Sequence, residues 1–289
     1  MKYAYFPGCS LEAASLEYLV SSKAVVRELG GELVEIPDWN CCGSMPSEAV
    51  DYLMALALPA RNLALVEAMG VDTVVASCSA CYLSLARVNR HRQRDAGAKA
   101  KLDEILGAAG LSYAGTVKVR HLLDVLANDF GPDAVKARVK RPFRGLKVAP
   151  YYGCQTVRPH LEYDSADFPT SMDRIIEALG GEVVPYNFKT RCCGGTMAYT
   201  ARDAGLGLVV ELFSGLGPEP VDCFATVCQL CQMNLDTSQG KVSRTLGRPV
   251  KIPVMLLTQL MGLAFDLPDA ETLLKKNIVS PRPILEKRA

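Results

Sequence analysis

Short apolar runs and longer amphipathic stretches alternate along the chain. In the first third, apolar runs of strand length lie at residues 2–7, 32–36 and 71–76. Residues 10–29 and 47–69 instead carry apolar side chains at helical spacing, and glycines end both stretches. Strands that alternate with helices are typical of a parallel sheet covered by helices, so the pattern predicts an α/β fold.

The pattern is interrupted once and then starts again. Residues 84–140 are polar, broken by glycines and mostly helical in their spacing, so we interpret them as a helical insert and linker. Beyond them, strands are predicted at 146–152 and 221–227, with a helix at 172–179 between them. Residues 252–263 predict a further strand and helix that complete this second part.

The two parts of the chain repeat each other. Residues 29–34 read LGGELV, and residues 179–184 read LGGEVV. Such self-similarity indicates an internal duplication. We therefore predict two β-α-β domains, residues 1–140 (including the insert) and residues 141–289. Their sheets are expected to be largely parallel and to be related by an approximate two-fold axis.

Ten of the eleven cysteines follow this duplication. Each half has a single cysteine, then an adjacent pair followed by glycine, then two cysteines spaced CxxC. The cysteine groups come just after predicted strands, at the sheet edge where ligands of open parallel sheets bind. We expect the two cysteine edges to face a shared cleft. The ten residues are Cys9, Cys41, Cys42, Cys78, Cys81, Cys154, Cys192, Cys193, Cys228 and Cys231.

Composition limits the possible partners and location of the protein, and through them the possible chemistry of these cysteines. Lys and Arg total 32 against 31 Asp and Glu, which argues against nucleic acid as a partner. No apolar run approaches the roughly 18 residues of a membrane span, and no signal peptide is recognisable, so we expect a cytoplasmic protein. Because disulfides are rare in that reducing compartment, patterned cysteines there are more often metal ligands or catalytic thiols.

The number of cysteines in each set favours a polynuclear centre. Structural zinc takes four ligands, so five thiols leave one over in each half. Iron–sulfur clusters are the metal centres usually bound by sets of several cysteine thiolates, although an ordinary cubane cluster also needs only four cysteine ligands. Zinc and uncoordinated buried thiols remain alternatives. Cys223 lies inside a predicted strand without a counterpart, and we interpret it as a small buried hydrophobe.

These motifs resemble the catalytic B subunit of heterodisulfide reductase and the wider family with duplicated C…CCG…CxxC domains. The resemblance covers nearly the whole chain and extends beyond the cysteines. Besides the motifs, it includes residues 3–9, 146–155, 157–159, 258–264 and 279–281.

The resemblance implies that each set of five cysteines binds a noncubane [4Fe-4S] cluster. It further implies a disulfide, or another bound sulfur species, held between the two clusters. Partners would be a C-like iron–sulfur subunit and an A-like flavoprotein subunit that supplies electrons. Because Cys42 is followed by Gly43, as in many bacterial relatives, the sulfur–sulfur bond could be reduced or formed.

Three further residues are candidates for a part in catalysis. Gly43 and Gly194 follow the cysteine pairs and would allow close backbone approach to a cluster, or leave room for substrate. His160 lies six residues after Cys154 and could protonate a leaving thiolate, or could be an ordinary loop histidine. His91 and His121 are expected in helical, basic surroundings without a functional role.

Two other classes of function stay open. One is an electron-relay or membrane-associated subunit of a succinate- or glycerol-3-phosphate-type dehydrogenase. The other is a zinc-stabilised interaction scaffold. The chain has no GxGxxG fingerprint for a nucleotide cofactor and no ferredoxin-type cysteine run, so an enzyme of this kind needs partner subunits.

Overall fold

Two four-stranded parallel sheets form the framework of the molecule. The computed structural model describes residues 1–44, 46–158 and 163–288, without the side chains of Pro46 and Tyr199. The predicted α/β class, with duplicated and largely parallel sheets, is confirmed.

The first half begins with a strand and alternates strands with helices. A π-helical turn, Val125–Phe130, lies between its last two helices. The elements are β1 (Lys2–Phe6), α1 (Cys9–Glu12), α2 (Leu16–Glu28), β2 (Glu32–Glu35), α3 (Pro46–Val50), α4 (Tyr52–Ala68), β3 (Thr73–Ala76), α5 (Ser79–Arg94), α6 (Ala96–Ala108), β4 (Lys118–His121), α7 (Leu122–Asp124) and α8 (Gly131–Arg138).

The second half repeats this alternation of strands and helices. A 3₁₀ turn, Thr272–Lys276, precedes the last helix. The elements are β5 (Lys147–Tyr151), α9 (Cys154–Val157), α10 (Ser171–Ala178), β6 (Glu182–Val183), α11 (Met197–Thr200), α12 (Arg202–Ser214), β7 (Cys223–Thr226), α13 (Gln229–Leu246), β8 (Val254–Leu256), α14 (Leu257–Ala264) and α15 (Arg282–Glu286).

The strand order shows the duplication in three dimensions. The first sheet has the order β2-β1-β3-β4, and the second has the order β6-β5-β7-β8. Every neighbouring pair is parallel, for example with Tyr5 beside Val75 and Ala149 beside Phe224. The four carboxyl ends of each sheet therefore lie on a single edge.

The structure corrects two details of the predicted elements. The supposed helical insert contains β4, a full member of the first sheet, because the alternating residues Val119 and His121 pair with β3. The two long predicted helices are each divided. The first breaks before Leu16, and the second breaks at Asp51, whose side chain accepts a hydrogen bond from Met54 N and starts α4.

The two faces of each sheet bury different cores. In β1, Tyr3 and Tyr5 belong to a core shared by both halves, whereas Ala4 and Phe6 face a core of the first half. The second sheet divides in the same way, with Ala149, Tyr151 and Phe224 in the core of its own half. Successive side chains of a strand point to opposite faces of the sheet. One face of each sheet therefore contributes to the shared core, and the other face contributes to the core of its own half.

Helices of each half pack on the other half in a reciprocal manner. Helix α2 packs against α14, and α10 packs against the π-helical turn and α8. Buried hydrogen bonds cross the junction, with Ser21 Oγ 2.7 Å from Thr258 Oγ1 and Tyr18 Oη donating to the Val227 carbonyl at 3.0 Å. When two copies are related by an approximate two-fold axis, a helix of each copy is expected to pack on the other copy in this way.

In the described part of the chain, every helix is too short or too polar to cross a bilayer.

Candidate metal centres

The cysteines lie where strands give way to loops and helices at the carboxyl edges of the sheets. Cys9 begins α1 just beyond β1, Cys78 is the N-cap residue of α5 beyond β3, and Cys41 and Cys42 lie in the loop after β2. We call these three groups, together with Cys81, the first-half thiols. The equivalent second-half thiols are Cys154, Cys192, Cys193, Cys228 and Cys231.

Sulfur atoms from separate motifs meet in both halves. Cys42 Sγ lies 3.4 Å from Cys81 Sγ, and Cys193 Sγ lies 3.5 Å from Cys231 Sγ. All described cysteines are free thiols, so no disulfide competes for these sulfurs. The same pair of positions makes the contact in each copy, as the duplication requires.

Hydrogen bonds among the first-half thiols favour the thiolate form of one of them. The Cys41 thiol donates to Cys42, and this bond is the largest of the effects that lower the pKa of Cys42 to about 3. Cys81 and the Ser44 N–H add to it. The same bond raises the pKa of Cys41, because it holds that proton in place. Thiolates are the form of cysteine that binds metals.

Two second-half thiols are shifted in the same direction. A hydrogen bond from Cys154 is the main reason that the pKa of Cys192 falls to about 6, and the Gly194 N–H assists at 3.3 Å from the sulfur. A bond from Cys231 lowers the pKa of Cys228 to about 6. A bound cation would displace the remaining protons from such a cluster of sulfurs.

All five second-half thiols line one cavity of about 160 Å³. Gly153, Thr156 and Gly195 complete much of its wall. One residue of the wall, Ser79, comes from the first half of the chain. The cavity thus collects the complete cysteine set of one motif repeat.

Glycines leave the space into which two of the sulfurs project. Gly8 has φ +74°, and a Cβ atom there would lie 2.9 Å from Cys81 Sγ. Gly153 has φ +72°, and its Cβ would lie 3.0 Å from Cys231 Sγ. A Cβ atom 2.9 Å from the sulfur is closer than real Cβ atoms come, and one at 3.0 Å is tighter than nearly all real Cβ contacts. Each glycine therefore leaves room for a cysteine of the distant CxxC motif. The sequence reasoning overlooked this role, although both glycines stood directly before a repeated cysteine.

Gly43 and Gly194 allow close packing of the loops that carry the cysteine pairs. Both have positive φ, +68° and +67°. A Cβ at Gly43 would lie 2.7 Å from Ser47 Oγ and 2.8 Å from Leu58 Cδ1, and one at Gly194 would lie 2.8 Å from the Gly205 carbonyl oxygen. Each glycine therefore lets the cysteine loop lie against a following helix. A part in substrate binding stays a prediction for both.

The arrangement of the thiols suits a metal centre that contains several metal atoms. Two sulfurs bound to one tetrahedral metal at about 2.3 Å lie about 3.8 Å apart, slightly more than the two sulfur contacts seen here. Within residues 1–44, 46–158 and 163–288, no three His, Cys, Asp or Glu side chains surround a single-ion position. Five thiols around one cavity fit a polynuclear cluster, whose metal atoms share the ligands.

The two centres differ in exposure. Cys9 and Cys41 are exposed, whereas Cys154 and Cys192 are only partly accessible. The remaining six ligand candidates are buried. The first-half thiols are therefore the more open to solvent or to a partner protein.

Three other residues singled out from the sequence are His160, Cys223 and His121. His160 lies outside the described residues. Cys223 is fully buried in β7, and this burial raises the pKa of its thiol, as expected for a small buried hydrophobe. His121 is not in helical, basic surroundings: it ends β4 and is completely buried near the CxxC motif of the first half. Its position could not be foreseen because β4 itself was missed.

The model of the CCG cysteine-rich domain matches residues 3–86 and again residues 148–236. The chain belongs to the CCG cysteine-rich domain family. The two matches cover the first three strands of each sheet and all ten candidate ligand cysteines, and they confirm the predicted duplication.

Relatives within the CCG family bear two kinds of name. The chain is 38% identical to the 8-methylmenaquinol:fumarate reductase membrane anchor subunit of Wolinella succinogenes, over 96% of this chain and 97% of that one. It is 30% identical to the B subunit of the ferredoxin/F420H2-dependent CoB-CoM heterodisulfide reductase of Methanosarcina acetivorans, over 99% and 96%. Both relatives are named as subunits of oxidoreductases.

A solved structure shares the fold of this CCG protein. A hypothetical protein from Helicobacter pylori superimposes with a TM-score of 0.74 at 17% identity. The match covers 96% of this chain and 52% of the other. At this identity the likeness concerns the fold alone.

Proposed function

We propose that the protein is an iron–sulfur electron-transfer subunit of an oxidoreductase complex, with one cluster in each half. The observation that carries the proposal is the cavity lined by all five second-half thiols, together with the equivalent sulfur contact in the first half. Iron–sulfur clusters are the usual partners of such thiolate sets.

The residues of the chain would hold and shield the clusters. The ten cysteines supply the ligands, Gly8 and Gly153 let distant sulfurs approach, and burial of six of the thiols keeps water away. A bound cluster of this kind supplies one-electron transfer.

For the reaction, we propose reduction or formation of a sulfur–sulfur bond between two noncubane [4Fe-4S] clusters. Reduction takes up two electrons and two protons, breaks the bond and releases two thiols, and oxidation is the reverse. A C-like iron–sulfur subunit and an A-like flavoprotein subunit would deliver or remove the electrons in the cytoplasm. The heterodisulfide reductase relatives, at 30–32% identity over most of the chain, support this reaction.

The second candidate is an electron relay in a fumarate reductase-type or succinate dehydrogenase-type complex. The fumarate reductase relative at 38% identity specifically favours it. In that case the clusters would pass electrons between a quinol and a partner subunit without binding a sulfur substrate.

Anaerobic purification followed by iron, sulfide and zinc analysis tests the common core of both candidates. We expect about eight iron and eight sulfide per chain, in proportion to two four-iron clusters. Zinc without sulfide would refute the proposal and leave a zinc-stabilised scaffold.

Electron paramagnetic resonance then separates the two reactions. Under the sulfur-bond proposal, a thiol added to the oxidised protein changes the cluster signal, because a substrate sulfur reaches an iron. Under the relay alternative, the thiol leaves the signal unchanged, while a menaquinol analogue reduces the clusters in the assembled complex.

A further inference from the structure

Another cavity, of about 210 Å³, lies beside the loop of the second-half cysteine pair. It opens between α11, α12 and α13, and it shares no lining residue with the cavity of the second-half thiols. Its buried wall residue Asn234 donates a hydrogen bond to the Cys193 carbonyl at 2.6 Å, and its wall residue Gly205 lies against Gly194. The described residues that line it are Ala198, Arg202, Gly205, Leu206, Val209, Asn234, Ser238 and Lys241.

Two positively charged residues line this cavity, Arg202 and Lys241. Neither side chain forms a hydrogen bond or an ion pair with any residue that the structure describes. The described wall contains no aspartate or glutamate, and Asp203, which follows Arg202, is exposed and lies outside it. Because like charges repel and unlike charges attract, an anion in the cavity would be stabilised by both cations.

The equivalent positions of the first half are filled differently. Tyr52 is the first residue of α4, as Arg202 is of α12, and the two are 150 positions apart. His91 precedes Lys241 by 150 positions as well, the interval that also separates the two CxxC motifs. In the first half, Tyr52 Oη lies 2.7 Å from His91 Nε2, and the two rings meet edge to face with centroids 5.5 Å apart. These two side chains satisfy each other, whereas two cations stand at the same positions of the second half.

The size of the cavity and the chemistry of its wall limit the ligand. A volume of about 210 Å³ is below the roughly 300–1,000 Å³ of pockets that enclose drug-sized molecules, so it fits a small ion or one group of a larger molecule. Arg202 offers a planar set of N–H donors that matches a phosphate, and Lys241 adds a point charge. Arg202 also begins the 13-residue helix α12, whose first-turn N–H groups and dipole favour an anion.

We propose that the cavity between Arg202 and Lys241 binds a phosphate group, either as the free ion or as part of a larger molecule. A phosphate carries a charge of about −1.5 to −2 at pH 7, which balances the two cations better than a singly charged carboxylate does. None of the lining residues is a candidate cluster ligand, so the proposal goes beyond the proposed function and does not depend on it.

Isothermal titration calorimetry of the full-length, anaerobically purified protein with inorganic phosphate tests the site. Ionic strength is held constant with chloride, so that the screening of charges does not change during the titration. We expect saturable binding of one phosphate per chain. Arg202→Gln and Lys241→Gln should each weaken this binding by about tenfold to a hundredfold, as is typical for loss of a hydrogen bond between charged groups. The double variant Arg202→Tyr/Lys241→His, which installs the first-half pair, should abolish it.

Arg248→Gln is the matched control. Arg248 is an exposed cation of the same half that does not line the cavity, and its substitution changes the net charge by the same amount. Its affinity for phosphate should equal that of the wild type. Equal weakening in Arg248→Gln and Arg202→Gln would mean that phosphate responds only to net charge, and would overturn the proposal. If circular dichroism shows that Arg202→Gln does not fold, Lys241→Gln decides, because Lys241 is an exposed residue within α13.

Two further probes define the ligand. Phenyl phosphate that binds as tightly as inorganic phosphate supports the phosphate group of a larger molecule, whereas phenyl phosphate that binds at least about tenfold more weakly supports the free ion. Acetate should bind at least about tenfold more weakly than phosphate. Equal affinity for acetate, or no saturable binding of phosphate up to about 10 mM, overturns the proposal. Iron analysis of the same samples tests the proposed function separately, so that failure of either is recognised on its own.

Discussion

The backbone of Gly8 borders the sulfur of Cys81 so closely that a Cβ atom would lie 2.9 Å from Sγ. The same relationship joins Gly153 and Cys231 at 3.0 Å. In each half, the residue before the first cysteine therefore controls the place of the last one. We expect the five-thiol sets to depend on this contact as well as on the cysteines themselves.

Gly8→Ala should remove about half of the bound iron, since the methyl group displaces Cys81 and spoils one of two clusters. Gly153→Ala should have the same effect on the other half. Iron and sulfide content of the anaerobically purified variants measures the loss.

Gly70→Ala serves as the control for backbone strain. Gly70 also has a positive φ, +68°, but nothing lies within 4 Å of its Cβ position. Its substitution should cost about 1–2 kcal/mol of stability without loss of iron. If Gly70→Ala and Gly8→Ala lose iron equally, the close sulfur contact is not the cause.

Cys223 should prove dispensable for the clusters. It lies inside β7 and faces the core shared by both halves, away from the cavity. Cys223→Ala should keep the full iron content, whereas Cys228→Ser, five residues later, should lose about half. A marked loss of iron in Cys223→Ala would show that the eleventh cysteine is also a ligand.

His121 should make the fold sensitive to acid. Burial lowers its pKa to about 4, an effect that the nearby Asp124 only partly opposes, whereas a histidine in the unfolded chain has a pKa of about 6.5. The unfolded state therefore binds a proton that the folded state does not, and stability falls as the pH drops from about 6.5 towards 4. Between pH 7 and 5 this contribution falls by about 2 kcal/mol.

Urea unfolding at several pH values measures the effect. His121→Gln cannot be protonated and should show a flatter pH dependence than the wild type over this interval. His91→Gln is the matched histidine-to-glutamine control, at a residue that contacts Tyr52 near the protein surface. Identical slopes in His121→Gln and the wild type would contradict the assignment.

The two halves should unfold together, although we predict domains at 1–140 and 141–289. Met261 of α14 is buried in the core shared with α2 of the first half. Met261→Ala should cost about 2–5 kcal/mol. Trp39, the single tryptophan, packs on Phe6 in the first half, so its fluorescence reports that half.

Fluorescence and circular dichroism should therefore shift to the same lower urea midpoint in Met261→Ala. Phe168→Ala, at an exposed side chain, should leave the midpoint unchanged. Two separate transitions, with the fluorescence midpoint unaffected by Met261→Ala, would indicate independent domains.

The local sequence pattern was sufficient to predict most of the architecture of the two sheets. The repeat of LGGELV and LGGEVV, the strand and helix periodicity and the spacing of the cysteines predicted two parallel α/β sheets with cysteines at one edge. These features are encoded within short stretches, where side-chain period and glycine placement dictate the backbone. Strand β4 escaped notice because its four residues, Lys118–His121, are mostly polar and only His121 is fully buried.

The sequence by itself determined the duplication, the ten candidate ligands and the family to which the chain belongs. Only the tertiary structure decided which sulfurs touch, that Gly8 and Gly153 make room for them, and that Ser79 of one half stands in the site of the other. Those relationships join residues that are tens to about 150 positions apart. No local pattern encodes them. The contacts within each half arise when parallel strands bring their carboxyl ends to one edge of a sheet, and the position of Ser79 arises when the two sheets pack through a shared core.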